Sequence, residues 1–435
     1  MALGMRSSKP IRRTSTRPPA GPVPESEVTI TEMGGEGDGM APGPIFASFT
    51  LPGERVRVAG TGERRKTLEI LEASPERVGP PCPHFGQCGG CALQHWGMEP
   101  YLAWKRDRMI GTLARQHIET EVLPIFASPP FTRRRAALHA RQGRKDEARL
   151  GYKIRNSWDL VDITVCPISD PKITAALPAM RRLAAPLFEH PKSAPTLHVT
   201  LTDDGLDIDI TGVERKSGGL SADARMRLAE QAAAGGFARV SMDGEIAYMD
   251  QAVPGVRLSG VRVDLPPGAF LQAVPAAESA MVQFVVEAAA AADRIADLFC
   301  GVGTFTFALA GVAPVYAADG AAPAIAALNA AVANAPGLKG VTAEARDLVR
   351  RPLLAQEMKK LDLVLFDPPR AGAAEQAGEI ARSKVSRVIG VSCAPATFAR
   401  DARTLIDAGF RLERVLPVDQ FLWSPHVELV GVFSR

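Results

Sequence analysis

The sequence predicts an α/β protein whose C-terminal part is a Rossmann-like, doubly wound parallel sheet, preceded by a small β-barrel and a β-rich central domain that carries a metal cluster. Three observations predict this fold class. Strand-like and helix-like segments alternate after Gly268, short β-rich runs fill residues 27–71, and four cysteines between these regions form a ligand-like set. Alternating strands and helices build parallel sheets, whereas successive short strands build barrels or sandwiches.

Length and hydropathy limit the class of protein. A chain of 435 residues is too long for one ordinary core, so two or three domains are expected. The longest apolar stretch, residues 281–292, contains Gln283 and Glu287 and predicts a soluble helix. With no run of eighteen apolar residues and no signal-like start, the sequence predicts a cytoplasmic protein without membrane segments.

The beginning of the chain is basic, although the net charge of the whole chain is only +3. Residues 1–19 hold five Lys or Arg residues and no acid, and they show no apolar period. We therefore expect residues 1–23 to form a disordered basic tail. Its basic composition is explained equally well by solubility and by contact with RNA.

Short β-rich runs separated by glycine-rich turns predict a small β-barrel over residues 24–80. The most glycine-rich of these turns spans residues 34–39. Small barrels of this kind often hold nucleic acid, although a barrel alone does not show this function. The β-rich runs are residues 28–31, 45–49, 54–58 and 67–71.

Four of the six cysteines form a candidate ligand set in the predicted central region, residues 81–268: Cys82, Cys88, Cys91 and Cys166. Thiolates bind iron or zinc, and three sulfurs in a turn-rich segment can converge without long-range folding. A disulfide is disfavoured because Cys88 and Cys91 are too close to restrict a long loop and nothing indicates secretion. Zinc stays open, while the wide spacing after Cys82 and the prolines beside Cys82 and Cys166 favour an iron–sulfur cluster.

The rest of the central region contains a helical stretch and a basic cluster. Residues 97–128 are predicted to be helical and to be able to pack on the C-terminal domain. Nine cations and two acids fall within residues 133–155. A solvated face is one interpretation, but the excess of cations favours a surface that faces a polyanion. The cations are Arg133, Arg134, Arg135, Arg141, Arg144, Lys145, Arg149, Lys153 and Arg155.

The predicted parallel sheet, in residues 269–435, places polar residues where ligands bind. A buried strand at residues 295–299 runs into a tight turn with Gly301 and Gly303, and the next strand ends in Asp319. Ligands of such sheets bind at the carboxyl ends of the strands, where a carboxylate can hold ribose hydroxyls. Because the third glycine of a dinucleotide fingerprint is missing, a smaller adenosine ligand is favoured.

Two further strand ends and one strand start supply reactive groups. Asp367 follows a buried strand, and Cys393 follows the next one, where it is placed as a nucleophile rather than as a buried apolar cysteine. An acid in an apolar strand is costly unless it has a partner or a task, so Glu428 is a candidate acid or base. His426 fits a structural role equally well.

These motifs together resemble the family of S-adenosylmethionine-dependent RNA uridine-C5 methyltransferases. The resemblance rests on Asp-Leu-Phe-Cys-Gly-Val-Gly at 297–303, Asp-Pro-Pro-Arg at 367–370, Ser-Cys at 392–393 and His-Val-Glu at 426–428. The chain looks most like the bacterial 23S ribosomal RNA branch, which has an N-terminal TRAM barrel and a four-cysteine 4Fe-4S cluster. The barrel region and the four cysteines are the counterparts here.

The resemblance implies roles for particular residues. S-adenosyl-L-methionine would be bound by six residues, of which two depart from the commoner family choices: Thr304 is often Asn and Asp319 is often Glu. Residues 421–425 also replace a usual Pro-Gln-Thr-like run, which leaves the details of the base pocket open. The six cofactor residues are Gln272, Phe299, Thr304, Asp319, Asp347 and Asp367.

The resemblance also implies a reaction. The Cys393 thiolate would add to uracil C6 and make C5 nucleophilic, and Glu428 would later remove the C5 proton. The cluster would be structural, RNA would be the partner, most closely 23S ribosomal RNA, and a monomer without a protein partner is expected. The target base would have to be unstacked or flipped.

Three alternatives remain for the function. A radical enzyme needs an iron with an open position and a tight cysteine loop, neither of which four cysteines in this spacing supply. An inactive RNA-binding protein would not need both Cys393 and Glu428. A tRNA methyltransferase is the third alternative, ranked lower because the tRNA branch typically lacks the cluster.

Overall fold

The structure is a computed structural model that describes residues 23–143, 147–214 and 218–435. By its internal contacts the chain divides into two units, Met1–Pro75 and Glu76–Arg435. The predicted basic tail lies outside the described residues except for Val23. The domain boundaries within the second unit remain predictions.

The first unit is a six-stranded sheet in the order β1-β5-β6-β4-β3-β2. The alternating pattern buries Val56 and Val58 of β5 against Ile30 and Ala47. The predicted glycine-rich turn is shorter than expected, because Gly39 lies in a strand. A Cβ at Gly39 would lie 2.2 Å from Thr50 Oγ1, so the close approach of these segments requires glycine. The strands are β1 Glu25–Thr29, β2 Glu32–Met33, β3 Asp38–Ala41, β4 Ile45–Ser48, β5 Arg55–Ala59 and β6 Arg64–Glu72.

The described part of the second unit contains helices and strands in alternating groups. Its helices are α1 Met98–Ala114, α2 Pro171–Ala175, α3 Leu177–Ala184, α4 Ala222–Ala234, α5 Pro275–Ala289, α6 Thr306–Val312, α7 Ala322–Ala333, α8 Ala374–Arg382 and α9 Pro395–Asp407. Its strands are β7 Glu121–Val122, β8 Phe126–Ala127, β9 Arg135–Gln142, β10 Ala148–Lys153, β11 Leu160–Asp162, β12 Thr196–Thr202, β13 Gly205–Thr211, β14 Arg239–Met242, β15 Glu245–Met249, β16 Gly255–Leu258, β17 Val261–Asp264, β18 Ile295–Leu298, β19 Val315–Asp319, β20 Val341–Ala345, β21 Leu363–Phe366, β22 Arg387–Ser392, β23 Arg411–Asp419 and β24 Glu428–Ser434.

The central region is built on a seven-stranded sheet in the order β11-β10-β9-β12-β13-β14-β15. One face of this sheet is apolar and packs with α3 and α4 around Leu138, Leu150 and Ile208, whereas the other face is polar. This alternation is what a sheet covered on one side requires. Cys166 is part of the same apolar core, and Cys88 packs against it.

The C-terminal region is the predicted doubly wound sheet, in the order β20-β19-β18-β21-β22-β24-β23-β7, with β8 also paired to β23. Strands β18 to β22 are parallel, whereas β24 runs antiparallel to β22. Helices α5, α6 and α7 cover one face, and α1, α8 and α9 cover the other. The prediction of this architecture is confirmed.

The prediction that residues 97–128 are helical is wrong after Ala114. Strands β7 and β8 follow the helix and extend the C-terminal sheet by pairing with β23. Thr120 Oγ1 donates to Leu412 O at 2.9 Å, a contact between residues almost three hundred positions apart. Distant tertiary pairing of this kind overrides local helix propensity.

Within the described ranges, no helix is long and apolar enough to cross a membrane.

The topology brings five chain segments to one edge of the sheet. The carboxyl ends of β18, β19, β21 and β22 lie there together because these strands are parallel. Strand β24 begins at the same edge, since Leu429 pairs with Ser392 at the end of β22.

Candidate active site and cysteine cavity

The turn after β18 has the backbone conformation of a close ligand approach. Phe299, Gly301 and Gly303 all have positive φ angles, of 63°, 55° and 102°. A Cβ at Gly303 would lie 2.5 Å from the Phe307 ring, so only glycine fits. The positive φ of Phe299, a bulky residue, is a strained conformation of the kind that clusters at functional sites.

Asp319 is held against this turn by two backbone amides. Gly301 N donates to Oδ2 at 3.0 Å, and Ala321 N donates to Oδ1 at 2.7 Å. The carboxylate is half-buried, and each oxygen keeps a further lone pair for a ligand. Asp319 is therefore held in a fixed position beside the turn.

Thr304 and Asp347 lie in two different loops near Asp319. Thr304 is in the turn after β18, and Asp347 is in the loop after β20. Thr304 is half-buried in the turn before α6. The exposed Asp347 accepts from Val349 N and Arg350 N at 3.1 and 3.2 Å, so it shapes its own loop. Its Cα would lie 3.9 Å from a Cβ at Gly320, which places it beside Asp319.

Asp297 is a polar group of the site for which the sequence motifs predict no role. It is fully buried in β18, and Thr306 Oγ1 donates to its Oδ2 at 2.6 Å. Its Oδ1 is buried without a hydrogen-bond partner among the described residues. Burial, with the nearby charges of Asp367 and Asp319, raises the pKa of Asp297 to about 7. The signal was present in the sequence, since Asp297 is an acid within an apolar strand.

Four side chains, three of them buried, form a hydrogen-bonded network across the edge of the sheet. Gln272 Nε2 donates to Asp367 Oδ2 at 3.3 Å, and Gln420 Nε2 donates to Gln272 Oε1 at 2.9 Å. Gln420 Nε2 also donates to Glu428 Oε2 at 2.7 Å. Two amides thus connect the acid at the end of β21 with the acid at the start of β24.

Asp367 and Glu428, the two acids of this hydrogen-bonded network, favour the protonated form more than a free carboxyl group does. Burial raises the pKa of Glu428, and the charge of Asp367 adds to this effect, while Gln420 and Arg370 oppose it. Burial and the charge of Asp319 raise the pKa of Asp367. A carboxyl group with a raised pKa is suited to accept and release a proton near neutral pH.

Cys393 lies at the same edge and is half-buried. Burial raises the pKa of its thiol, and the charge of Glu428 adds to this, whereas the charge and hydrogen bond of Arg370 lower it. The structure therefore brings the candidate nucleophile Cys393 and the candidate base Glu428 together with Asp367. Arg370 follows the strand-end acid in the sequence, but its role could be recognised only from this contact.

The four predicted metal-ligating cysteines line one cavity of about 390 Å³. Burial first, and then the other thiols of the set, raise the pKa of Cys88 to about 11 and that of Cys91 to about 12. The pKa of Cys82 is raised in the same way, and Cys166 interacts with all three. Within the part of the chain that the structure describes, no group of three or more His, Cys, Asp or Glu side chains has the spacing of ligands to one metal ion.

The same cavity extends to the candidate active site. Its wall includes Arg370 and Gln420 as well as Phe421, Ser424 and His426, which precede β24. The segment after the cysteines is bonded to this wall, because Ala92 N and Leu93 N both donate to Trp423 O, at 2.9 and 3.1 Å. The cysteine segment is thus in direct contact with the segment that precedes β24.

The predicted polyanion-facing patch is partly wrong. Arg134 is buried, pairs with Glu278 at 2.5 Å and donates to Gln272 O at 3.0 Å. Arg135 donates to Leu271 O at 2.8 Å, so these arginines support the loop that carries Gln272. Arg133 is part of the wall of the cavity, and Arg144 and Lys145 lie outside the described residues. Arg141, Arg149, Lys153 and Arg155 are at least partly exposed.

Comparisons with known proteins agree with this geometry. Residues 248–435 match the family model described as tRNA (Uracil-5-)-methyltransferase. An RNA methyltransferase of Caulobacter vibrioides is 63% identical over 94% of this chain and 100% of its own length. The 23S rRNA (uracil(1939)-C(5))-methyltransferase RlmD of Alkalilimnicola ehrlichii is 34% identical over 94% of this chain and 96% of its own.

A solved structure also resembles nearly the whole chain. It is the Pyrococcus abyssi tRNA (uracil-54, C5)-methyltransferase in complex with S-adenosyl-L-homocysteine, with a TM-score of 0.69 and 25% identity. The likeness covers 94% of this chain and 99% of that one. The chain therefore belongs to the S-adenosylmethionine-dependent RNA uridine-C5 methyltransferase family and is an RNA methyltransferase.

Proposed function

We propose that this protein methylates C5 of a uridine in 23S ribosomal RNA through a covalent intermediate with Cys393. The observation that carries the proposal is the meeting of Cys393, Arg370 and Glu428 at one edge of the sheet. An inactive RNA-binding protein would gain nothing from keeping a thiol, a cation and a buried acid in mutual contact, because a buried ionisable group costs free energy.

The described residues fit S-adenosylmethionine at the carboxyl ends of β18 and β19. Asp319 would hold the ribose hydroxyls, and the turn with Gly301 and Gly303 lets the ligand approach the backbone. The unpartnered Oδ1 of Asp297 supports a polar ligand next to this turn. The other residues proposed to bind the cofactor are Gln272, Phe299, Thr304, Asp347 and Asp367. When bound, the cofactor supplies an electrophilic methyl group.

Cys393 begins the proposed reaction. Its thiolate adds to C6 of the uracil, so that the S–C6 bond forms, the C5=C6 double bond opens and negative charge moves to O4. C5 becomes nucleophilic and takes the methyl group. Because burial disfavours the thiolate, the guanidinium of Arg370 is the group that supports it.

Glu428 completes the reaction. Its carboxylate removes the proton from C5, the C5=C6 bond forms again, and the S–C6 bond breaks to release the Cys393 thiolate. The products are 5-methyluridine, S-adenosylhomocysteine and a proton held by Glu428. The raised pKa of Glu428 makes it a stronger base than an exposed carboxylate.

The cysteine cavity fits an iron–sulfur cluster better than a single ion. Four ligands of one zinc ion would have sulfurs about 3.8 Å apart, as the usual Zn–S length requires, and no such group occurs among the described residues. Cys82, Cys88, Cys91 and Cys166 all line the same cavity, as the ligands of one cluster would. We assign a 4Fe-4S cluster there with a structural role, since Ala92 and Leu93 after it hold Trp423.

The polar face of the central sheet supports a contact with RNA. Burial lowers the pKa of His139, and the charges of three neighbours, Lys153, Arg141 and His198, lower it further. Positive charge is therefore concentrated on this face. Trp158 is 79% exposed, and the Lys153 ammonium lies 4.2 Å from its ring centroid. A cationic face with an exposed ring fits a single-stranded RNA segment.

Transfer RNA is the second candidate substrate. The likeness to the Pyrococcus abyssi tRNA enzyme covers nearly the whole chain, and the matching family model is described as a tRNA methyltransferase. The ribosomal substrate is preferred because of the 34% identity to RlmD of Alkalilimnicola ehrlichii and because of the four-cysteine set.

Mapping of 5-methyluridine in a strain that lacks this protein separates these substrates. We expect one uridine of 23S ribosomal RNA to lose its methyl group, and expect the wild-type gene, but not a Cys393→Ala variant, to restore it. Loss from tRNA alone would replace the ribosomal proposal with the tRNA one. No loss in either RNA would contradict both.

A further inference from the structure

Gln420 is the side chain at which the two sides of the candidate active site meet. It is 3% exposed and lies in the segment between β23 and β24. Its Nε2 donates to Glu428 Oε2 at 2.7 Å and to Gln272 Oε1 at 2.9 Å, and its Oε1 accepts from Ala273 N at 3.1 Å. It lies outside the four sequence motifs on which the family resemblance rests.

The orientation of the Gln420 amide is determined by its partners. Ala273 N can only donate, so the atom that faces it must be the amide oxygen. The two N–H groups of Nε2 then point to Glu428 and to Gln272. Because Gln272 Oε1 accepts, its own Nε2 is the atom that donates to Asp367. One backbone amide thus sets the direction of the whole chain of hydrogen bonds.

The segment that carries Gln420 is held from the other side by α1. Asp419 accepts from Lys105 Nζ at 2.5 Å and from Tyr101 Oη at 2.7 Å, and all three side chains are fully buried. Tyr101 Oη also accepts from Trp423 N at 2.8 Å, and Lys105 Nζ also donates to Phe421 O at 3.2 Å. This buried, hydrogen-bonded ion pair fixes the backbone on both sides of Gln420.

We infer that Gln420 is a positioning residue that holds Oε2 of Glu428, directs Oε1 toward the C5 proton and couples this carboxyl group through Gln272 to Asp367. The inference rests on the proposed function, because it assigns Glu428 the removal of that proton. A positioning role follows from the contacts, since Gln420 acts through its hydrogen bonds to Glu428 and Gln272.

The hydrogen bond from Gln420 also acts on the proton affinity of Glu428. The charged or titratable groups that face Glu428 are Asp367, Arg370 and Cys393, while the Lys105–Asp419 pair lies behind Gln420. A donor to Oε2 favours the carboxylate and opposes burial and Asp367. Removal of the donor should therefore raise the pKa of Glu428 and leave too little carboxylate at neutral pH.

The test separates proton removal from the earlier steps. The substrate is the RNA that lacks 5-methyluridine in the deletion strain, labelled with tritium at uridine C5, and tritium release is followed in single turnovers from pH 6 to pH 10. Gln420→Met keeps the length of the side chain but has no donor. We expect its tritium release at pH 7 to be about 10-fold slower, as for a lost hydrogen bond to a charged group, with covalent adduct accumulating and the rate recovering at higher pH.

Gln420→Glu is the second variant, because it has the same size and keeps an acceptor for Ala273 N. It should shift the pH midpoint in the same direction. Gln283→Met, on the exposed side of α5, is the matched control and should behave as wild type. A wild-type pH midpoint and adduct level in both Gln420 variants would overturn the inference. Failure of the wild-type protein to release tritium would instead overturn the proposed function.

Discussion

The guanidinium of Arg370, in the loop after β21, lies close enough to the thiol of Cys393, at the end of β22, to lower the pKa of that thiol. The thiol is otherwise in surroundings that disfavour its ionisation, because burial and the charge of Glu428 both raise its pKa. Arg370 is therefore the side chain that we expect to control the reactivity of the nucleophile.

Arg370→Gln should make Cys393 less reactive. Without the cation the pKa of the thiol rises further, so alkylation of the Cys393 peptide by iodoacetamide at pH 8 should slow by about 10-fold, which corresponds to one pKa unit. Mass spectrometry of that peptide distinguishes it from the other five cysteines. Arg382→Gln, on the exposed end of α8, is the control, and equal alkylation of the two variants would refute the role of Arg370.

Asp297→Asn should change how stability depends on pH. Burial raises the pKa of Asp297 from 3.8 to about 7, so the folded state prefers the protonated carboxyl group. Wild-type stability from this group is therefore full below pH 3.8 and is lost as the pH rises to about 7. Relative to the variant, wild type should lose on the order of 4 kcal/mol between pH 4 and pH 8. Urea unfolding measures the free energy of unfolding of both proteins at each pH. If the difference between wild type and variant did not change with pH, the pKa of Asp297 would not be raised by burial.

Asp319→Ala should weaken cofactor binding. The loss of a charged hydrogen bond to a ribose hydroxyl corresponds to about 1–3 kcal/mol. Titration calorimetry with S-adenosylhomocysteine measures the affinity, and Glu375→Ala on the exposed start of α8 serves as the control. Unchanged affinity in the Asp319 variant would remove this residue from the ribose site.

Protein purified without oxygen should be brown and contain about one four-iron cluster, as four thiolates on one centre require. Cys91→Ser should lose most of the iron, whereas Cys300→Ser, outside the cysteine cavity, should keep it. Iron analysis and the visible spectrum give the answer. Zinc without iron in the wild-type protein would refute the cluster.

The sheet and the strand-end residues could be predicted because their signals are local. Apolar runs of four residues mark β21 and β22, and an acid or cysteine after such a run lies at the ligand edge by topology alone. Glu428 was recognisable for a related reason, since a carboxyl group within an apolar strand is costly unless it is used.

Residues whose role depends on distant partners could not be predicted. Gln420 carries no charge, so it does not stand out in the sequence as a buried acid such as Glu428 does. Its partner Gln272 is 148 positions away. Lys105 and Asp419 are 314 positions apart. Arg134 was assigned to a polyanion-facing surface because a count of charges does not reveal burial against Glu278.

The covalent intermediate tests the central claim most directly. RNA with 5-fluorouridine at the target has fluorine in place of the proton that we propose Glu428 removes. With S-adenosylmethionine, the wild-type protein should therefore form a slow-migrating band of protein joined to methylated RNA on a denaturing gel.

Two variants assign the two halves of the reaction in this gel assay. Cys393→Ala should give no band with 5-fluorouridine RNA, because the S–C6 bond cannot form. Glu428→Gln should accumulate the band on ordinary RNA, because addition and methyl transfer proceed while elimination is blocked. A band with Cys393→Ala, or wild-type turnover by Glu428→Gln, would contradict the assignment of nucleophile and base.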